Sequence, residues 1–195
     1  MPKLWNATIE THRKEVRDAV LDATAALVAE HGLRSVTMAQ IAERAGIGRA
    51  TLYKYFSTID AILHAWHHRE VTDHLRQLTD VRDSTAGGRQ QLEAVLQEYA
   101  RISHRTQAHH DTEMATLLHR DEHVAHAQRL LHALVSDLIA DGARDGDLRA
   151  DVVPDELATY CLHALAAARS LPTEAAVDRL ITVTLAGLLP NAVED

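Results

Sequence analysis

The sequence predicts an all-α fold, and three observations lead to that expectation. Only 8 glycines and 4 prolines interrupt the 195 residues, which leaves few turn signals for a multi-stranded sheet. Alanine, leucine, arginine and glutamate, which favour helices, are frequent. Apolar residues recur at spacings of three and four, the period of a helix with one buried face. We expect an N-terminal three-helix domain that contains a helix-turn-helix, followed by a larger C-terminal helical domain.

The first helix is predicted from Thr8 to Glu30. Gly32 follows it, and glycine readily adopts the left-handed conformation that closes a helix. Its inward-facing residues are Val16, Val20, Ala23 and Leu27.

Two short helices are predicted next. Thr37 and Gln40 match a capping box, in which each side chain bonds to the other residue's backbone at a helix start. The first short helix therefore runs from Met38 to Ala45, where Gly46 breaks it, and the second runs from Arg49 to Phe56. Two short helices around a glycine turn form a helix-turn-helix pattern.

Longer helices are predicted in the rest of the chain. Ser57 or Thr58 is expected to cap a helix that ends near Asp80, and Asp83–Gly88 reads as a loop. The remaining predicted helices are Arg89–Thr106, a short one ending near His119, one from Asp121 to the glycine turn at 142–146, Asp155–Ser170 and Thr173–Leu189.

The last two predicted helices are apolar around most of their circumference. Such helices are buried on more than one side, so we expect this pair to form the surface between two subunits. The residues predicted at the dimer interface are Leu157, Cys161, Leu165, Ile181, Leu185 and Leu188.

Charge divides the chain into two parts. The net charge is −8, yet residues 1–60 hold 8 Lys/Arg against 7 Asp/Glu, and the remainder holds 12 against 21. Between positions 34 and 54, Arg34, Arg44, Arg49 and Lys54 accompany the single acid Glu43. This stretch is where a phosphate-facing surface is expected.

The outer side of the two short helices carries groups suited to DNA. Arg49 stands between the small residues Gly48 and Ala50, and an arginine in the major groove donates two hydrogen bonds to guanine. Contact between Arg49 and a phosphate is the alternative. Hydroxyl and amino groups nearby suit phosphate oxygens, and Gln40 either closes the cap or touches a base. The alternative is that the aromatic residues of this corner only pack beneath the next helix. The predicted DNA-binding residues are Thr37, Gln40, Gly48, Arg49, Ala50, Thr51, Tyr53, Lys54 and Tyr55.

The stretch Val36–Phe56 closely resembles the DNA-binding signature of the TetR (tetracycline-repressor-like) family of bacterial transcriptional regulators. The resemblance extends to the end of the first helix at His31-Gly32 and to the start of the fourth helix at Asp60–Leu63. It also includes the order of two later segments, Gly142–Arg149 followed by Pro154–Leu157. It implies a homodimer of about nine helices per chain. On this basis residues 1–56 form the DNA-binding domain, with its motif at 36–55, and residues 57–195 form the effector-binding and dimerisation domain.

The family resemblance also implies a ligand-responsive repressor that a small molecule releases from a palindromic operator. The helices that the family places around the effector cavity carry Trp66, Tyr99, His104, Met114, Leu117, Leu118, Tyr160 and His163, and His109 and His110 are further candidate polar anchors. The alternative is that the aromatic and apolar residues of this set are ordinary core. One departure concerns DNA. Family members commonly have lysine at the start of the fourth helix, where this chain has Ile59. Lys54, Tyr55, Lys3 or Arg13 is expected to compensate. Trp5 supports minor-groove contact by Lys3 in one interpretation, but a frayed terminus is the preferred one.

Two other functions stay open as alternatives: a metal-sensing regulator and an architectural DNA-binding protein without an effector. Histidines suit zinc or nickel, and the candidate sets are His64, His67 and His68, then His119, His123 and His126, with Asp111 and Glu113 nearby. Asp121 interrupts the second set as a helix start, and we expect neither a metal nor a cofactor.

An enzyme is not expected, because the sequence has no glycine-rich phosphate loop, His-Glu-x-x-His or Gly-x-Ser-x-Gly motif. Cys161 and His163 lie on different faces of their helix. A lone cysteine, no apolar run near 18 residues and no leader-like start predict a cytoplasmic protein without a membrane partner.

Overall fold

A computed structural model describes residues 3–32, 35–106 and 122–190, with side chains described from residue 9 onward. Within these ranges the chain forms eight α-helices and no β-strand, which confirms the predicted all-α class. No helix in this part of the chain is both long and apolar enough to cross a lipid bilayer.

The helix bounds lie close to the predicted ones. The helices are α1 (Lys3–His31), α2 (Met38–Arg44), α3 (Arg49–Tyr55), α4 (Ile59–Ser84), α5 (Gly88–Arg105), α6 (Glu122–Arg144), α7 (Pro154–Ala166) and α8 (Glu174–Ala186). A 3₁₀ turn, Ala167–Ser170, continues directly from α7. α4 extends four residues past Asp80, so the predicted loop at 83–88 is shorter than expected. The polar turn at 107–111, the short helix near His119 and the cap at Asp121 lie outside the described residues.

The chain divides into two compact units, an N-terminal unit of residues 1–70 and a C-terminal unit of residues 71–195. The division falls inside α4, which contributes residues to both units. The functional boundary after residue 56 remains a prediction.

In the N-terminal unit, α1 buries the predicted stripe. Val20, Ala23 and Leu27 are buried, whereas Val16 near the start of the stripe is half-buried. Gly32 closes the helix as expected, with φ +76° and its amide bonded to the carbonyl of Val28 at 2.9 Å.

An ion pair joins α4 to α1 within the same unit. Arg69 Nη2 lies 2.7 Å from the carboxylate of Asp22, and Arg69 Nη1 donates to the carbonyl oxygen of Asp18 at 3.5 Å. The C-terminal end of the N-terminal unit is thereby tied to the middle of α1.

In the C-terminal unit, one apolar core is built from α5, α6, α7 and α8. Its fully buried members include Leu92, Leu96, Val135, Ile139 and Leu165. The turn after α6 packs tightly on that helix, because a Cβ at Gly142 would lie 2.6 Å from Leu148 Cδ1. Glycine at 142 therefore lets the chain fold back so that Leu148 enters the core.

Candidate nucleic-acid interface

The turn between α2 and α3 is set by hydrogen bonds at Gly46. The Ile47 amide donates to the carbonyl of Ala42 at 3.0 Å, and the Gly46 amide donates to Glu43 at 3.1 Å. These two bonds form a Schellman motif, which requires a left-handed residue, and Gly46 has φ +68°. The glycine thus closes α2 and turns the chain toward α3.

The start of α2 is fixed by the predicted capping box. Thr37 Oγ1 accepts from the Gln40 amide at 3.3 Å, and Gln40 Oε1 accepts from the Thr37 amide at 2.9 Å. Thr37 Oγ1 also donates to Gln40 Oε1 at 2.6 Å. Gln40 therefore closes the cap in the free protein, and the single hydroxyl proton of Thr37 is engaged within the protein.

The inner side of the motif is apolar. Ile41, Ala42 and Leu52 are buried as predicted, whereas Ala45 and Ile47 are half-buried. This small core holds α2 and α3 together, so the opposite side of α3 is available for recognition.

The aromatic residues of α3 divide between the two sides. Phe56, which follows α3, is buried, Tyr55 is half-buried, and Tyr53 is 55% exposed. Packing beneath the next helix thus accounts for Phe56 but not for Tyr53. Among the other residues predicted to contact DNA in and just before α3, Thr51 is half-buried. The exposed ones are Gly48, Arg49, Ala50 and Lys54.

Gly48 is not required by the local backbone. It caps α3 with φ −68° and ψ 145°, which any residue adopts, and a Cβ there would meet no atom nearer than Thr51 Oγ1 at 3.9 Å. The small residue leaves space on the outer side of the helix start, where a nucleic-acid backbone or base edge could approach.

The local positive charge is smaller than the sequence indicates. Arg44 Nη1 and Nη2 donate to both carboxylate oxygens of Glu30 at 2.9 and 2.6 Å. This pairing lowers the pKa of Glu30 and raises that of Arg44, mainly through the hydrogen bonds. Arg49 and Lys54 have no ion pair among the described residues, so they are the available cations of the motif. Arg34, Lys3 and the side chain of Trp5 lie outside what the structure describes.

One cation near the motif was missed by sequence reasoning. The Arg17 guanidinium carbon of α1 lies 4.7 Å from the centre of the Phe56 ring. The two residues are 39 positions apart, and no local pattern in the sequence signals their contact. Of the residues expected to compensate for Ile59, Arg13 pairs with Glu10 at 3.3 Å on the exposed surface of α1.

The predicted effector residues are not brought together in one described site. Trp66 is buried in the N-terminal unit, and Met114, Leu117, Leu118, His109 and His110 lie outside the described residues. In the C-terminal unit, the Tyr99 hydroxyl donates to the carbonyl of Leu162 at 3.5 Å, and burial raises its pKa. His104 Nδ1 donates to the carbonyl of Ala168 at 3.1 Å. Tyr99 and His104 thus join α5 to α7 and the 3₁₀ turn.

A polar cleft of about 140 Å³ lies beside His104, lined also by Arg101, Arg105, Glu174, Val177 and Asp178. Effector cavities are mostly apolar and span about 300–1,000 Å³, so this cleft does not match the predicted one. Tyr160 and His163 are exposed on the outer side of α7, and His163 Nδ1 bonds to the carbonyl of Thr159 at 2.8 Å. Their place in an effector pocket stays a prediction.

The predicted dimer residues also need correction. Leu157, Cys161, Leu165, Ile181 and Leu188 are buried in the core of a single chain, and Leu185 is half-buried against it. Side chains already enclosed by their own chain cannot cover a partner subunit. The exposed residues of α7 include the polar Asp155, Glu156 and Thr159, but Tyr160 on α7 and Val183 on α8 are exposed as well.

The candidate metal ligands do not converge in the described part of the chain. No group of three His, Cys, Asp or Glu side chains there could hold a metal ion. The rings of His64 and His68 stand edge to face with centres 6.5 Å apart. His123 Nε2 lies 3.2 Å from Thr72 Oγ1, and His119, Asp111 and Glu113 lie outside the described residues.

Two family models match the chain. Residues 20–66 match the model of bacterial regulatory proteins of the TetR family, and residues 89–190 match the C-terminal domain of SbtR-like transcriptional regulators. The first match contains the motif described above, and the second covers most of the C-terminal unit.

Curated relatives are regulators as well. The HTH-type transcriptional repressor KstR2 of Rhodococcus jostii (strain RHA1) is 30% identical over 145 residues, which are 70% of this chain and 69% of that protein. The repressor KstR of the same organism is 48% identical over 44 residues, or 23% of this chain and 21% of that protein. An uncharacterised HTH-type transcriptional regulator of Mycobacterium tuberculosis is 43% identical over 53 residues, so the match spans 27% of this chain and about a quarter, 26%, of that protein.

Solved structures share the fold over nearly the whole chain. A TetR/AcrR-family regulator from Thermobifida fusca YX-ER1 superposes with a TM-score of 0.75 at 20% identity, covering 88% of this chain and 97% of the other. The ketosteroid transcriptional regulator KstR2 of Mycobacterium tuberculosis gives 0.63 at 22% identity, covering 89% and 94%. The helix-turn-helix geometry and these matches agree, and the protein belongs to the TetR family of DNA-binding bacterial transcriptional regulators, which are not enzymes.

Proposed function

We propose that the protein is a homodimeric repressor that binds a palindromic operator and is released by a small-molecule effector. The observation that carries the proposal is the division of the motif into two sides. Its apolar residues face inward, while Arg49, Tyr53 and Lys54 face outward, and the two cations have no ion pair among the described residues. An exposed, uncompensated basic face on a short helix is suited to the major groove.

Within this face we assign different roles to the side chains. Arg49, in the first turn of α3, reads a base, because its planar guanidinium forms two hydrogen bonds with guanine. Lys54, Thr51, Tyr53 and Tyr55 bind phosphates, which fix the register of the protein on the duplex. The capping box changes the role of Thr37: its hydroxyl proton is engaged by Gln40, so the Gln40 Nε2 group is the available donor at this helix start. Gly48 and Ala50 contribute space rather than contacts.

The dimer surface is reassigned to the outer side of α7 and α8. Tyr160 is 44% exposed and Val183 is 66% exposed. A Cβ at Gly187 would lie 3.4 Å from the Tyr160 hydroxyl oxygen, so the tyrosine lies across the end of α8 near Gly187. Val183 precedes Gly187 by one helical turn, on the same face. These apolar groups join the two helices into one outward patch that a second copy can cover.

The geometry of a two-fold dimer explains how an effector releases the protein from DNA. Dimeric helix-turn-helix proteins place their recognition helices in half-sites about 34–36 Å apart. A small change in that separation prevents both helices from docking together. KstR2 and KstR of R. jostii are named repressors, which supports repression over activation. Since the proposed target is operator DNA of a bacterial cell, we place the protein in the cytoplasm.

We propose that the effector binds in the C-terminal unit and acts through α4. That helix contributes residues to both units, and Arg69 ties it to α1 through Asp22. A ligand that binds better to one position of α4 shifts the population toward that position. Tyr99 remains a candidate anchor, together with the predicted residues outside the described ranges.

The test is selection of bound sequences from random duplex DNA by the purified protein. We expect a palindromic motif with two half-sites. Failure to recover a motif, with the protein folded and dimeric, would contradict sequence-specific binding. A selected motif that no small molecule releases would support the architectural alternative instead, and dependence of binding on zinc or nickel would support metal sensing.

A further inference from the structure

Most cations of the N-terminal unit can be sorted by their partners. From residue 9 onward, its described residues include seven Lys/Arg. Three have ion pairs: Arg13 with Glu10, Arg44 with Glu30 and Arg69 with Asp22. The four cations without an ion pair among the described residues are Lys14, Arg17, Arg49 and Lys54.

The unpaired cations are unevenly placed along α3. Arg49 begins the helix and Lys54 lies in its last turn, but the segment that follows, Ser57–Leu63, contains no lysine or arginine. The chain therefore supplies no local cation beyond the end of α3. Arg17 supplies one from α1, since its guanidinium lies over the ring of Phe56, the residue directly after α3.

The ring contact leaves Arg17 able to bind an anion. A cation above an aromatic face is attracted by the ring without using its N–H groups, and a guanidinium carries five donors in a fixed plane. The Arg17 side chain is exposed, so an anion can approach it from solvent. Phe56 itself is buried, so it forms a fixed platform that restricts where the guanidinium can lie.

The length of α3 agrees with the width of the DNA major groove. α3 has 7 residues, and at about 1.5 Å per residue it is roughly 10 Å long. The major groove is about 12 Å wide. With Arg49 at the base edges, a cation at the opposite end of the helix lies near the backbone that borders the groove. Lys14, one turn before Arg17 on the same face of α1, extends this positive edge.

We propose that Arg17 is a DNA phosphate contact, held in position by the Phe56 ring. The inference rests on the proposed DNA-binding function and extends the interface from α2 and α3 to α1. The competing interpretation is structural: Arg17 would only fasten α1 to the end of α3. The two interpretations differ in what they predict for the salt dependence of DNA binding.

The test compares Arg17→Met, Arg17→Lys and wild-type protein on random-sequence duplex DNA and on the selected operator between 50 and 200 mM salt. Methionine retains apolar contact with the ring but removes the charge. Each lost phosphate contact lowers the slope of log K against log salt by about 0.9. For a dimer that loses two contacts, the wild-type advantage shrinks about twelvefold across this fourfold range of salt.

The matched control is Arg44→Met, which removes the same charge from the same unit but at a residue already paired with Glu30. We expect Arg17→Met to lower the slope on both DNAs, and Arg17→Lys and Arg44→Met to retain it. Thermal unfolding of Arg17→Met should stay near wild type. A wild-type slope for Arg17→Met, or an equal fall for Arg44→Met, would overturn the phosphate contact. Wild-type protein that binds neither DNA would overturn the proposed function together with it.

Discussion

The capping box at the start of α2 allows a quantitative test of how the DNA-binding motif is held. Three hydrogen bonds join Thr37 and Gln40, and one of them links the two side chains directly. Thr37→Val removes the two bonds of the hydroxyl, and Gln40→Met removes the two bonds of Oε1. The side chain to side chain bond is shared, so the double variant loses three bonds rather than four.

The bonds lie at an exposed helix start, so each is taken at the lower end of the usual range, about 0.5 kcal/mol. Each single variant then lowers the free energy of unfolding by about 1 kcal/mol, which agrees with typical N-cap losses. The double variant lowers it by about 1.5 kcal/mol, so the double-mutant cycle gives a coupling of about 0.5 kcal/mol.

The assay is urea unfolding followed by the fluorescence of Trp66, which is buried in the N-terminal unit. A Trp5→Phe background removes the other tryptophan. Matched controls are Thr51→Val, which alters a threonine hydroxyl in α3, and Glu43→Met on the exposed side of α2. Additive losses near 2 kcal/mol in the double variant would refute the shared bond. Single variants as stable as wild type would refute the capping box itself.

Further outcomes are expected for the recognition helix, the dimer surface and the buried cysteine. Arg49→Ala should relax base preference at one position per half-site, whereas Lys54→Ala should weaken binding to all sequences; equal losses on every sequence for both variants would contradict base reading by Arg49. Val183→Asp should raise the dimer dissociation constant by an order of magnitude or more in sedimentation, because it places a charge in the apolar patch that the partner is proposed to cover. Val153→Asp, at a valine 58% exposed at the start of α7, should stay dimeric. Burial raises the pKa of the Cys161 thiol to about 12, so at pH 8 a disulfide reagent should label it only after unfolding, and rapid labelling of native protein would count against that burial.

The elements that sequence predicted well are those set by local signals. Gly32 and Gly46 end helices because they take positive φ, and Thr37 with Gln40 starts one through bonds between near neighbours. Each signal lies within five residues of the structure it determines. The helix-turn-helix could therefore be placed almost to the residue.

The parts that the sequence could not predict depend on contacts between distant segments. The apolar content of α7 and α8 correctly indicated burial, but Leu157, Cys161 and Leu165 are covered by their own chain rather than by a partner. The apolar composition of a helix indicates how much of its surface is buried, but not whether its own chain or a partner subunit covers it. His104 was predicted to line the pocket, and its ring also bonds to the carbonyl of Ala168, 64 positions away, which no local pattern signals. No local pattern in the sequence indicates that Arg17 contacts Phe56 or that Arg44 pairs with Glu30.

The division of α4 between two compact units bears on how such proteins can be recombined. Ile62, Leu63 and Trp66 are buried and belong to the same unit as the helix-turn-helix, as does Arg69, which reaches back to Asp22. A chimaera that grafted residues 1–56 onto a foreign sensor would leave these partners behind. A graft of residues 1–70 would transfer the DNA-binding motif together with the side chains that pack in its unit. The new sensor domain would then need only a helix that continues in register from Glu70.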